Sequence, residues 1–298
     1  MSLHNNNLSK LKTLMHIVVL LVIMFAGDFL SSLPFDIIFS YVELPFDWMY
    51  GLTRITACII VTYLIFRFYT HKVLHSNMED FRIGRLHVRL IDVLYALLLT
   101  TFVIGGFIIL GKPFINHNLT NDVMSSIVII ALFKALKAGI LEEILFRGYI
   151  MKLLEIRWNK YIAIILPSFI FSLAHIPSME VFNLVSLLLL ICSGTLVGIM
   201  FSLIAYRNNS IWGSVLIHTI WNFIMCGDIL HIYFGKDISA KAIFSIILPT
   251  KNYLVTGAGF GIEASIIAIV GYTIISISLL LLIKKSTSRS MANVDKQM

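Results

Sequence analysis

Apolar residues come along this chain in long runs, broken by short polar stretches. A membrane-spanning helix needs about 20 mostly apolar residues. That criterion predicts eight spans: Leu14–Leu33, Tyr50–Phe68, Val93–Leu110, Val123–Phe146, Tyr161–His175, Leu184–Tyr206, Ile211–Ile232 and Ile262–Ile283. Pro34, Pro45, Pro113 and Pro177 fall in the predicted connections, where a missing N–H costs little. Pro167 falls inside the fifth span and is expected to kink it. No internal repeat or soluble domain is visible. The longest connection, Tyr233–Gly261, is too apolar to be a plain linker.

Composition agrees. The 298 residues are 58% hydrophobic and 13% charged, with a mean hydropathy of +0.91. A soluble domain carries about 25% charged residues. The expected fold class is an all-α membrane protein of about eight transmembrane helices around a polar cavity. The net charge of +7 then reads as loop bias. With the N-terminus inside, fourteen Lys and Arg residues fall on the inner segments, among them Lys10, Lys12, Lys72, Arg82, Arg157, Arg289 and Lys296. Only Lys112, Lys236, Lys241 and Lys251 fall on the outer ones, beside the acids Asp36, Glu43 and Asp47. By the positive-inside rule both termini are cytosolic. No basic, aromatic-interleaved soluble segment offers a nucleic-acid surface. Cys58, Cys192 and Cys226 lie in apolar runs without CxxC spacing, as small core residues do. Lys10 and Lys12 precede an apolar stretch longer than a signal-peptide core, and no cleavage site follows it.

Against this background the stretch Leu141-Glu142-Glu143-Ile144-Leu145-Phe146-Arg147-Gly148 is costly, because ionised groups in hydrocarbon demand partners. Glu143 and Arg147 are four apart with the acid first, the favoured order for an ion pair on one helix face. Glu142 lies about 100° round the helix and is left over. On the fifth span, Phe171 and His175 share a face. On the seventh, His218 and Asn222 do the same. Each has a simpler reading taken alone. Arg147 could snorkel to the interface, His175 or His218 could be interhelical hydrogen-bond partners, and Phe171 could be packing. Asp28, Arg54 and Asp228 read as solitary structural or interfacial groups. For Glu142 the simpler reading fails, since even a neutral buried acid needs partners.

Taken together, Glu142-Glu143-x-x-x-Arg147, Phe171-x-x-x-His175 and His218-x-x-x-Asn222 occur in that order on three spans. This resembles the CAAX-protease and bacteriocin-processing family of intramembrane endopeptidases, also called the abortive-infection family. Phe146 and Gly148 frame the arginine as in that family, and the glycine-rich run from Thr256 through Glu263 resembles the lead-in to its last helix. The resemblance covers residues 123–283, a five-span protease core. Residues 1–122 match only as three membrane helices, and residues 284–298 form a basic tail. Lys134 and Lys137 depart from the family, which is usually apolar there. They either line a wet cavity or mark a shorter, tilted span. The depths also conflict. Glu142 falls roughly 10–15 Å from the cytosolic face and His175 roughly 20 Å, so the two meet only if the fifth helix enters late or bends at Pro167.

The resemblance implies peptide-bond hydrolysis in the membrane. Glu142 suits the base that activates water, with His175 sharing or orienting that water. His218 and Asn222 suit the oxyanion hole. Glu143 and Arg147 suit a support role beside them, and Phe171 completes the supporting set. The family has been described both as glutamic and as metalloprotease. The glutamic form is preferred because it uses every motif residue without a cofactor. The alternative is zinc held by Glu142, His175 and His218. The expected substrate is a membrane-embedded or lipidated peptide or protein, reached from the inner leaflet. CAAX-type trimming, bacteriocin or pheromone processing and self-immunity are the roles the family suggests. The compact chain looks like a bacterial member in the plasma membrane. Two rival readings stay open: a proton-coupled transporter, against which no inverted repeat is visible, and a non-catalytic immunity or scaffold protein.

Overall fold

The computed structural model describes residues 9–41, 47–234 and 242–295. Glu43, Pro45, Lys236, Lys241 and Lys296 lie outside the described residues, as do the side chains of Asp47 and Arg289. The chain is mostly helical. The helices are α1 Lys10–Phe39, α2 Asp47–Lys72, α3 Leu90–Leu110, α4 Asn121–Glu143, α5 Met151–Arg157, α6 Lys160–Ala174, α7 Leu184–Asn208, α8 Trp212–Met225, α9 Tyr253–Thr256 and α10 Ile266–Asp295. A π-helical segment, Ile144–Ile150, fuses α4 to α5. Seven helices among the described residues are long and apolar enough to cross a membrane, the α4–α5 rod being the longest at 37 residues.

Two features depart from the sequence expectation. The seventh predicted span, Ile211–Ile232, is in fact a 14-residue helix followed by a strand. At about 1.5 Å per residue α8 is only about 21 Å long. It is buried along one side by Ser214, Ile217, His218 and Trp221, so it is an interior helix that crosses most of the bundle. The second departure is a small sheet. β1 (Lys112–Ile115), β2 (Leu230–Phe234) and β3 (Phe244–Leu248) lie in the order β1-β3-β2. β1 pairs antiparallel with β3, Lys112 opposite Ile247, and β2 pairs parallel with β3, Leu230 opposite Phe244. The apolar loop after α8 therefore satisfies its backbone by strand pairing, as buried backbone must. Two proline expectations also change. Pro34 lies inside α1, and Pro113 sits on the edge strand β1, where a missing N–H is tolerated.

Polar caps set the helix ends. Asn159 accepts from the N–H groups of Tyr161 and Ile162 at the start of α6, and Asn183 from Ser186 at the start of α7. α7 closes on Asn209, whose left-handed φ of 48° suits an asparagine.

The two ends of the bundle differ. At one end Arg82 pairs with Glu155 of α5 at 2.8 Å, and Trp212 donates to the Gly84 carbonyl. At the other end lie the sheet and the loops after α6 and α9, where Glu180 N–H donates to the Gly259 carbonyl. The outer faces of the long helices present apolar side chains such as Val18, Phe25, Leu98, Leu188 and Leu281. Together with the seven long helices they make this an integral, multi-pass membrane protein.

Candidate active site

Three helices converge because small residues let them. A Cβ on Gly139 of α4 would meet Thr219 Oγ1 of α8 at 2.3 Å. A Cβ on Gly198 of α7 would meet Ser168 of α6 at 2.7 Å. Such close approach is the membrane counterpart of a packed core. It brings the α8 imidazole against α4 and exposes the Gly198 carbonyl to Arg147.

The predicted Glu143–Arg147 pair is present and wholly enclosed. Arg147 Nη1 lies 2.9 Å from Glu143 Oε1, with both side chains at 0% exposure. Arg147 Nη2 also donates to the Gly198 carbonyl at 3.3 Å. Its guanidinium lies over the rings of Phe171 and Phe201, at 4.6 and 5.1 Å. Phe171 is thus a wall of the arginine pocket as well as the neighbour of His175. The π-helical segment carries Arg147, and such widened turns recur at functional sites.

Glu142 stands apart from this pair. Its Oε2 lies 3.9 Å from His175 Nε2 and 3.9 Å from His218 Nε2, and it is partly open at 20% exposure. Oε2 is a buried atom with no hydrogen bond among the described residues. The depth conflict resolves in the helices. α4 does not stop near Phe146 but runs on to Arg157. From Arg157 back to Glu142, and from Lys160 forward to His175, the rise is about 22 Å in each case. The two helices are joined by a tight turn, so both side chains arrive at one level. Glu142 is correspondingly further from the basic end than the sequence suggested.

Both imidazoles are fixed from behind. His175 caps α6, and its Nδ1 pairs with the Phe171 carbonyl at 2.8 Å. His218 Nδ1 pairs with Glu143 Oε1 at 3.0 Å, while Phe201 stacks on its ring at 5.0 Å. A carbonyl or carboxylate at Nδ1 requires that nitrogen to donate, which leaves each Nε2 as the acceptor in the neutral ring. Each Nε2 turns into a donor only in the imidazolium. Glu143 therefore serves both Arg147 and His218, a link the sequence spacing did not reveal.

Asn222 lies one turn beyond His218 and lines an inner cavity of about 210 Å³ with Phe171, His175, His218 and Glu263. Its Oδ1 accepts from Cys226 Sγ at 3.4 Å. The structure also brings in residues that motif spacing missed. Glu263 accepts from Trp221 Nε1 at 2.7 Å and faces the same cavity. Its only sequence signal was its place in the glycine-rich run. Phe201 had none.

A larger cavity of about 1240 Å³ adjoins the inner one, and the two share His175, Cys226, Phe260 and Glu263. Lys134 is on its wall. Lys137 instead pairs with Asp28, which also accepts from Cys58, so Asp28 is not solitary. The two lysines thus have separate explanations.

No group of three or more His, Cys, Asp or Glu side chains among the described residues is disposed to hold a metal ion. The donor types Glu142, His175 and His218 suit zinc, and each Nδ1 is anchored as zinc-binding imidazoles usually are. Their 3.9 Å gaps are wider than the roughly 3.3 Å that separates ligands of a tetrahedral zinc at about 2.0–2.1 Å.

Residues 124–224, which carry all three motifs, match the family model described as Type II CAAX prenyl endopeptidase Rce1-like. That makes this stretch of the chain similar to the CAAX-protease family. No curated protein and no solved structure matches the chain. The convergence of α4, α6 and α8 on Glu142, inside the matched stretch, marks the candidate centre.

Proposed function

We propose that this protein hydrolyses peptide bonds of membrane-embedded or lipidated peptides by a water that Glu142 activates. The supporting observation is the pair of 3.9 Å gaps from Glu142 Oε2 to the two imidazole Nε2 atoms. Such gaps are too long for direct hydrogen bonds and short enough for one shared water. Glu142 takes the proton as the water oxygen bonds to the carbonyl carbon. Asn222 donates to the oxyanion, and His218 does so when its Nε2 is protonated. Collapse breaks the C–N bond, and the proton held by Glu142 passes to the leaving amine. Arg147 compensates Glu143, and Glu143 in turn orients the His218 ring.

Zinc is the second reading, favoured by the anchored Nδ1 atoms that leave both Nε2 atoms facing Glu142. Glu142, His175 and His218 would hold the ion, which would supply a polarised water. Peptide release from native membranes, compared among wild type, Glu142→Gln and His175→Ala, tests hydrolysis itself. Activity that survives chelators supports the glutamic form. Activity lost to chelation and restored by zinc overturns it. A role in bacteriocin or pheromone processing or immunity would appear as a released peptide of that kind.

A further inference from the structure

The route to the site starts at a definite end of the bundle. The large cavity begins at the N-terminus of α4 and follows one of its faces through Asp122, Ser126, Ile130 and Lys134. Its other walls are the loop after α6, with Ser178 and Glu180, the start of β2, and the loop at Phe260. All of these belong to the sheet end. Along the wall His175 leads directly to Glu142.

Positive charge lies at the opposite end. Lys72, Arg82, Arg85, Arg89, Arg157 and Lys160 close the helices and loops there, whereas the described loops of the sheet end have Lys112 and Lys251, with Lys236 and Lys241 in the chain between β2 and β3. Both outermost helices run the matching way. His16, near the start of α1, hydrogen-bonds Tyr69 near the end of α2, and Ser278 of α10 meets Tyr95 at the start of α3. The short α8 does not break the alternation. It starts at the basic end, where Ile211 N–H donates to the Arg82 carbonyl, and leads into β2 in the sheet.

Lysine and arginine in short loops mark the cytosolic side. We infer that the cavity opens to the extracytosolic side, so that the substrate, on the protease reading above, is a peptide segment displayed in or beyond the outer leaflet. This reverses the inner-leaflet approach that the sequence suggested. The reason is the cavity, which runs from the N-terminus of α4 to His175, although by helix rise Glu142 lies about 22 Å from Arg157 and about 31 Å from Asn121. A peptide translocated outward, or the outer part of a membrane-anchored precursor, meets the cavity directly.

Single-cysteine reporters in the full chain test the side without any need for activity. Cys58, Cys192 and Cys226 are replaced by serine. Ser178→Cys is placed on the cavity rim and His87→Cys in the exposed loop at the basic end. A membrane-impermeant maleimide is applied to intact expressing cells and to permeabilised ones. Labelling of Ser178→Cys in intact cells, with His87→Cys labelled only after permeabilisation, is the expected result. The reverse pattern, or equal labelling of both in intact cells, overturns the inference. If native-cysteine replacement prevents expression, protease protection of a tag inserted at His87 reads the same side. The outcome is independent of hydrolysis. Outside labelling of Ser178→Cys together with undiminished peptide release by Glu142→Gln would keep the side of access and remove the protease reading.

Discussion

Glu142 and Glu143 are neighbours in the chain and belong to different regions of the molecule. Glu143 faces a closed region between α4, α7 and α8, where Arg147 and His218 share its carboxylate and no part of it is exposed. Glu142 faces a more open region, where two imidazoles approach its carboxylate without closing on it and one of them, His175, lines a large cavity. On the function proposed above, one helix thus carries a structural acid and a reactive one on adjacent positions. A closed carboxylate whose Oε1 is shared by Arg147 and His218 holds geometry but has no room for substrate water. An open one with fixed neighbours has that room.

Substituting one charged group in each region separates the two most sharply. Glu142→Gln should leave folding intact and lower peptide release by on the order of 10²–10⁴-fold, the usual share of a general base. Size-exclusion behaviour in detergent and release assays read the two effects. Arg147→Ala should act the other way round. It strands a buried carboxylate, and loss of one partner of a buried pair costs about 3–5 kcal/mol. Thermal unfolding in detergent should show the loss before any assay of activity. Asn222→Ala, at the rim of the open region, should lower kcat by about 10²–10³-fold with little change in melting temperature.

Packing and surface changes sharpen the contrast at smaller scale. Gly198→Val would push α7 off Ser168 of α6 and cost about 1–3 kcal/mol of stability. It would also withdraw the Gly198 carbonyl from Arg147. Lys137→Gln breaks a pair whose members are 31% and 51% exposed, so its effect should stay within about 1 kcal/mol. An effect as large as that of Arg147→Ala would show that the Asp28–Lys137 contact belongs to the closed region.

The sequence made much of this visible. Apolar run length located the long helices, and i, i+4 spacing paired Glu143 with Arg147 and singled out Glu142. The motif order brought α4, α6 and α8 together. The rest escaped for physical reasons. Hydropathy cannot distinguish a 22-residue span from a 14-residue interior helix followed by a strand, because both are apolar, and so Ile211–Ile232 was misread. Basic residues after Phe146 masked the continuation of α4 to Arg157, since Lys152 and Glu155 look like a loop. That error placed Glu142 too near the basic end. The contacts of Phe201 and Glu263 depend on helices far apart in sequence, which no local spacing encodes.

The central claim is that Glu142 alone of the two acids does the chemistry. Native membranes holding wild type or Glu142→Gln, incubated in oxygen-18 water, test it most directly. New peptide C-termini carrying oxygen-18 should appear with wild type and be lost with Glu142→Gln expressed at the same level. Oxygen-18-labelled peptides released equally by both would contradict the account.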